Sequence, residues 1–127
     1  MTKDEIVQYW LDSSNQDYPV MAHRRNKKVI SELVKKYVEH LRQNRIPIWR
    51  IYLYGSTVKG TDHEHSDIDL AVFWDKEEID GFDEDVELMK LTKKIDLRIE
   101  PHSFAKSDFD ETNPYIKEII ETGERIV

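Results

Sequence analysis

One segment constrains this chain more than any other. Gly55-Ser56 is followed, after ten intervening residues, by Asp67-Ile68-Asp69, with the apolar run Ile51-Tyr52-Leu53 before the pair and Leu70-Ala71-Val72-Phe73 after the aspartates. Apolar runs of this length, broken by a glycine turn and a polar loop, read as two strands. Alternate residues of a strand point the same way, so Asp67 and Asp69 share one face while Ile68 and Leu70 take the other. Two carboxylates fixed close together repel unless a cation lies between them. An oxygen-rich site of that kind suits Mg²⁺, which completes its shell with water and substrate phosphate. A short Gly-Ser turn presents backbone N–H groups that approach a phosphate closely. Either half of the pattern occurs often by chance. The spacing and the strand setting are what join them into a phosphate-and-metal constellation.

The rest of the chain supplies the frame. Thr2-Lys-Asp-Glu5 forms a capping box ahead of Ile6, Tyr9 and Trp10, which predicts a short first helix. Asp12 to Pro19 reads as a break. Ile30, Leu33, Val34, Tyr37, Val38 and Leu41 follow helical spacing and predict a helix from about Asn26 to Arg42. Trp49–Tyr54 is expected as the first strand, with Trp49, Ile51 and Leu53 on one face. Asp67–Trp74 is expected as the second. A weak helix over Asp80–Lys93 would be anchored by Val86 and Met89. Ile95–Ile99 reads as a third strand, with Asp96, Arg98 and Glu100 on its polar face. Asn113-Pro114 begins a last helix, with Asn as N-cap and Pro at the first position, and Gly123 ends it.

The chain has 127 residues, which makes it one compact unit, divided here into an N-terminal helix and linker over 1–22 and a domain over 23–127. Its net charge of −7 speaks against broad nucleic-acid binding, which needs a basic face. It has no cysteine, which excludes disulfides and thiolate zinc sites. The polar opening Met1-Thr-Lys-Asp-Glu5 is not a signal peptide, and no apolar run reaches membrane-spanning length. A cytoplasmic location is the expectation.

Gly55-Ser56, the ten-residue gap, Gly60 and Ser66-Asp67-Ile68-Asp69-Leu70 resemble the nucleotidyltransferase superfamily that includes DNA polymerase beta, and within it the minimal nucleotidyltransferases. The resemblance spans roughly residues 27–127. It implies an α/β nucleotidyltransferase fold, a short mixed β-sheet with helices packed on one side. It also implies that Gly55 and Ser56 hold a nucleoside triphosphate, that Asp67 and Asp69 bind two Mg²⁺ ions, and that a third carboxylate on the next strand completes the site. Asp96 is the expected third carboxylate and Glu100 its rival. Either would complete the metal site and take the proton of an acceptor hydroxyl. The plain alternative for Asp96 is a strand-surface ion pair with Arg98 or Lys94. Lys59 would neutralise phosphate charge, at a position where many relatives carry Arg.

The implied reaction is transfer of a nucleoside monophosphate, AMP from ATP, to a hydroxyl. The implied acceptor is a tyrosine of a HEPN-domain toxin, which makes the chain an antitoxin. The resemblance of Ile6–Tyr18 to HEPN openings is short, and an ordinary amphipathic helix accounts for it. A partner subunit or a homo-oligomer would close the open site. The competing hypothesis is a binding module that neutralises a partner by contact alone. A nucleic-acid polymerase or tailing enzyme is disfavoured by the acidic charge and small size. His63 and His65, flanking Glu64, fit a solvated loop better than a metal site, and Tyr52, Tyr54 and Trp74 fit packing better than base stacking.

Overall fold

The computed structural model describes the backbone over residues 19–55 and 67–127, and side chains from residue 27 onward within the first of these segments. The expected short first helix, Ser56, Lys59, Gly60 and the histidines at 63 and 65 lie outside the described residues.

The described elements are α1 (Pro19–Gln43), β1 (Ile48–Tyr54), β2 (Ile68–Trp74), α2 (Phe82–Thr92), β3 (Ile99–Ala105), a 3₁₀ turn (Lys106–Asp108), α3 (Pro114–Thr122) and β4 (Glu124–Arg125). The four strands form one mixed sheet in the order β3-β2-β1-β4. β1 pairs antiparallel with β2 and with β4, and β2 pairs parallel with β3. The parallel pair needs a crossover, which α2 supplies. The expected α/β fold with a short mixed sheet is therefore present.

The core has two parts because the sheet has two faces. Ile30, Val34, Tyr37, Val38 and Leu41 lie on one stripe of α1 and bury against Ile51, Leu53, Leu70 and Val72. Each such aliphatic side chain contributes about 1.5–3 kcal/mol when fully buried. Leu88 of α2 joins the same cluster, and the buried Tyr37 hydroxyl donates to the Leu88 carbonyl at 2.8 Å. The opposite face is more aromatic. There Tyr52, Ala71 and Phe73 meet Ile116 and Ile119 of α3, with Trp49, Phe104 and Phe109 packed around them. Two helices thus cover one face, as expected, and α3 covers part of the other.

Trp49 departs from its expected face. A register shift between Ile48 and Arg50 inserts an irregularity at the start of β1, and beyond it the alternation resets. Trp49 consequently packs edge-on to Phe109, 5.1 Å between centroids, rather than with Ile51. In α2 the anchor is Leu88, which is inaccessible to solvent, whereas Met89 is exposed. The last helix matches its expected signals. The Asn113 side chain accepts from the Tyr115 N–H, Pro114 opens the helix, and the Gly123 N–H closes it on the Ile119 carbonyl. A Cβ at Gly123 would strike that carbonyl and the Leu53 carbonyl, so the glycine lets α3 turn tightly back to β1.

The largest departure is the third strand. It begins at Ile99, where the expected one ends, and runs to Ala105. Residues 93–98 form turns instead. The Ser103 N–H donates to Asp85 of α2 and the Ala105 N–H to Asp108, both at 2.8 Å, while Pro101 has no N–H.

Candidate functional site

β1 ends where β2 begins, so the turn after Tyr54 and the first residues of β2 and β3 share one end of the sheet. Tyr54 pairs with Asp69, and Asp69 pairs in turn with Glu100. Asp69 is therefore the middle of a row that crosses three strands. Asp67 stands exposed just ahead of β2. Its carboxyl group lies beside that of Glu100. Partial loss of hydration, then the Asp67 hydrogen bond and charge, raise the Glu100 carboxyl above the usual range.

Gly55 closes the row. Its backbone has φ of +82°, a left-handed conformation that glycine adopts without strain. A Cβ at this position would lie 2.6 Å from Asp69 Oδ2. The residue must be glycine for the turn and also for the Asp69 carboxylate to stand against it. Beside the turn, Tyr54, Gly55, Tyr115 and Glu118 line a cavity of about 170 Å³. The Tyr54 and Tyr115 hydroxyls are 2.9 Å apart. Burial, the Tyr115 hydrogen bond and the nearby charges of Asp69 and Glu100 all push the Tyr54 phenol upward, so it stays neutral.

His102 completes the cluster. Its Nε2 lies 3.7 Å from Asp69 Oδ1, and its ring is half-buried beside Tyr54, 6.1 Å between centroids. The Asp69 carboxylate, helped by Glu100, raises the imidazole above its usual range despite partial burial. Asp69, Glu100 and His102 offer one donor atom each within 4.8 Å of one another. On the other side of the acidic row runs an apolar groove of about 540 Å³, with Asp67 and Glu100 at its edge, Val86, Met89 and Leu97 in its walls, and Lys93 beside them.

The structure does not bring Asp96 to this site. Asp96 precedes β3, is 4% exposed, and pairs with the buried Arg98 guanidinium, Oδ2 to Nη2 at 3.2 Å. Its Oδ1 also accepts from the Arg98 N–H at 2.8 Å. The alternation over residues 95–100 arises from this turn, in which the charged residues fold inward and Leu97 is 60% exposed. With the strand four residues later than expected, the position beside Asp69 belongs to Glu100, the rival in the sequence reading. Tyr52 and Trp74 are buried in packing, and the Trp74 indole N–H donates to the Ser103 hydroxyl. His102 escaped the sequence reading because the strand was placed too early. Its signal was the alternation Glu100-Pro-His102-Ser-Phe104.

The carboxylates fit a divalent metal on their own chemistry. Asp67, Asp69 and Glu100 crowd one end of the sheet, and Asp69 Oδ2 packs directly against Gly55. A cation relieves that crowding where a proton otherwise must.

Residues 35–127 match the family model described as Polymerase beta, Nucleotidyltransferase. A protein of Methanocaldococcus jannaschii named "Putative protein adenylyltransferase" is 33% identical over 92 residues, covering 72% of this chain and 88% of that protein. A crystal structure of a toxin-antitoxin with AMP-PNP superposes with a TM-score of 0.54 at 26% identity, covering 73% of this chain and 71% of the other. A mutant MntA-HpeT toxin-antitoxin structure superposes with a TM-score of 0.52 at 24% identity, over 73% and 70%, and shares the fold.

Proposed function

This chain belongs to the polymerase beta nucleotidyltransferase family, and from that premise we propose that it transfers AMP from ATP to a hydroxyl group of a protein, the acceptor being a tyrosine of a HEPN-domain toxin and the chain its antitoxin. The observation that carries the reading is the convergence of Asp67, Asp69 and Glu100 beside Gly55, at the shared end of three strands. The adenylyltransferase name of the archaeal relative and the toxin-antitoxin neighbour bound to AMP-PNP support the donor and the kind of acceptor.

Asp67, Asp69 and Glu100 would hold divalent metal, with two Mg²⁺ ions as the family's usual complement. Such ions neutralise triphosphate charge and lower the pKa of an attacking hydroxyl when bound. The chain itself positions the reactants. Gly55 opens the turn, and its backbone, with Ser56 and Lys59 following, would face the triphosphate. The acceptor hydroxyl would enter along the groove that ends at Asp67 and Glu100. Its oxygen attacks the α-phosphorus, the bond from that phosphorus to the bridging oxygen breaks, and pyrophosphate leaves with the electron pair. A Glu100 oxygen accepts the hydroxyl proton. The apolar walls contributed by Val86, Met89 and Leu97 would exclude water that competes with the acceptor.

ATP labelled at either the α- or the γ-phosphate, incubated with the protein and Mg²⁺ in lysate, tests the reading. Label from the α position should appear on a protein band and label from the γ position should not. No α transfer by wild type, together with undiminished neutralisation of a partner, would favour a binding module. No helix among the described residues is long and apolar enough to cross a membrane.

A further inference from the structure

We propose that His102 is a nitrogen ligand of this centre and turns it toward a first-row transition dication such as Mn²⁺ or Co²⁺ in place of an all-oxygen Mg²⁺ site. The proposal rests on the reading of Asp69 and Glu100 as metal ligands and adds a donor to them.

Backbone register brings the imidazole in. Because β2 and β3 run parallel and in register, Glu100 lies beside Asp69 and His102 beside Ala71. Glu100 and His102 are two residues apart on one strand, so both rise from the same face. Ala71 is small, so it does not crowd the imidazole on the neighbouring strand. From there the ring reaches back toward the mouth of the sheet, and Nε2 arrives 3.7 Å from Asp69 Oδ1.

That distance is informative. It is too long for a hydrogen bond between nitrogen and oxygen. It leaves room for both atoms to turn toward a common ion. The third donor, on Glu100, lies within the same 4.8 Å cluster. The ring is also tethered. Packing beside Tyr54 restricts its swing, and the Tyr54 hydroxyl is itself held by Tyr115. The imidazole is only 37% exposed, which limits competing water on its covered side.

Donor chemistry then decides the ion. Mg²⁺ favours oxygen ligands in a near-ideal octahedron and keeps several waters. Imidazole suits the later first-row metals, whose affinity for nitrogen rises from Mn²⁺ to Cu²⁺. His102 would thus separate the binding strengths of Mg²⁺ and the transition ions without removing either from the reaction.

Metal titrations in the presence of a non-hydrolysable ATP analogue test this. Co²⁺ binding is read by visible absorption, Mn²⁺ by electron paramagnetic resonance, and Mg²⁺ by competition against Mn²⁺. His102→Gln should weaken Co²⁺ and Mn²⁺ at least about tenfold and Mg²⁺ no more than about threefold. Equal weakening of all three would make His102 a positioning residue for Asp69 and overturn the proposal. Wild-type protein gives a second measurement that needs no variant. With Zn²⁺ added, one of the five imidazoles, that of His102, should show the ¹⁵N shift of a metal-bound nitrogen, and an unmoved resonance would overturn the proposal. Transfer of α-label with His102 unshifted sinks the nitrogen ligand alone. A shifted His102 with no transfer under any ion sinks the proposed reaction and leaves the ligand standing.

Discussion

Asp96 and Glu100 are four positions apart, yet their surroundings oppose each other. Asp96 is buried against Arg98, and its two oxygens accept from the guanidinium and from a backbone N–H. Glu100 meets two aspartates, and their charges help to raise its carboxyl above the usual range. The first carboxylate is satisfied by the fold. The second is crowded by its own kind, with the His102 imidazole as a positive neighbour. A carboxylate's role is therefore read from its neighbours, and the sheet register that sets those neighbours matters more than the residue type.

Four experiments break or sharpen this contrast. Asp96→Ala leaves a buried guanidinium without its carboxylate, and urea unfolding should show a loss of about 3–5 kcal/mol. Transfer activity per folded molecule should be retained. Loss of activity at unchanged stability would return Asp96 to the site. Asp69→Asn should do the reverse, lowering α-label transfer by at least about a hundredfold while the melting temperature holds or rises in metal-free protein.

Gly55→Ala comes next. It forces a side chain into φ of +82° and against Asp69, at a cost of about 1–2 kcal/mol in stability. Displacement of Asp69 should lower transfer roughly tenfold. An alanine variant with unimpaired metal binding would show that the Asp69 position is not set by the turn. The smallest effect is in pH. Glu100 binds its proton more tightly in the folded chain than in the unfolded one. Its contribution to stability is therefore full below the ordinary glutamate range and is lost as pH rises through the raised value. Glu100 is largely exposed, so the slope is modest. It should be visible as a difference between wild type and Glu100→Gln in chelator, and it should vanish when Mg²⁺ or Mn²⁺ is added.

The contrast also explains what was legible in the sequence. The body of helix α1 was readable because one stripe of Ile30, Val34, Tyr37, Val38 and Leu41 carries its burial, but the helix begins at Pro19, well before the expected Asn26, because proline fits a first helical turn. Asp69 and Gly55 were readable because strand alternation and a glycine turn act locally. The expected strand over 95–99 failed because a turn with an internal ion pair mimics a strand's alternation. Asp96 and Arg98 alternate with Ile95 and Leu97, but the charged pair is the buried one. Only the pairing of β3 with β2, a contact distant in sequence, separates the two cases. Once β3 shifts, Glu100 and His102 enter the site together. Trp49 failed for a similar reason, since a bulge resets the alternation without leaving a mark in composition.

The outer side of β3 has a consequence for how another protein can reach this centre. Its N–H groups at Ser103 and Ala105 are already spent on Asp85 and Asp108, and Pro101 has none to give. A visiting chain therefore cannot annex itself to the sheet there as a fifth strand. Any macromolecule that engages the acidic mouth from that flank must grip side chains, and Asp85→Ala, by freeing one of those amides, is the change that would invite unwanted self-association.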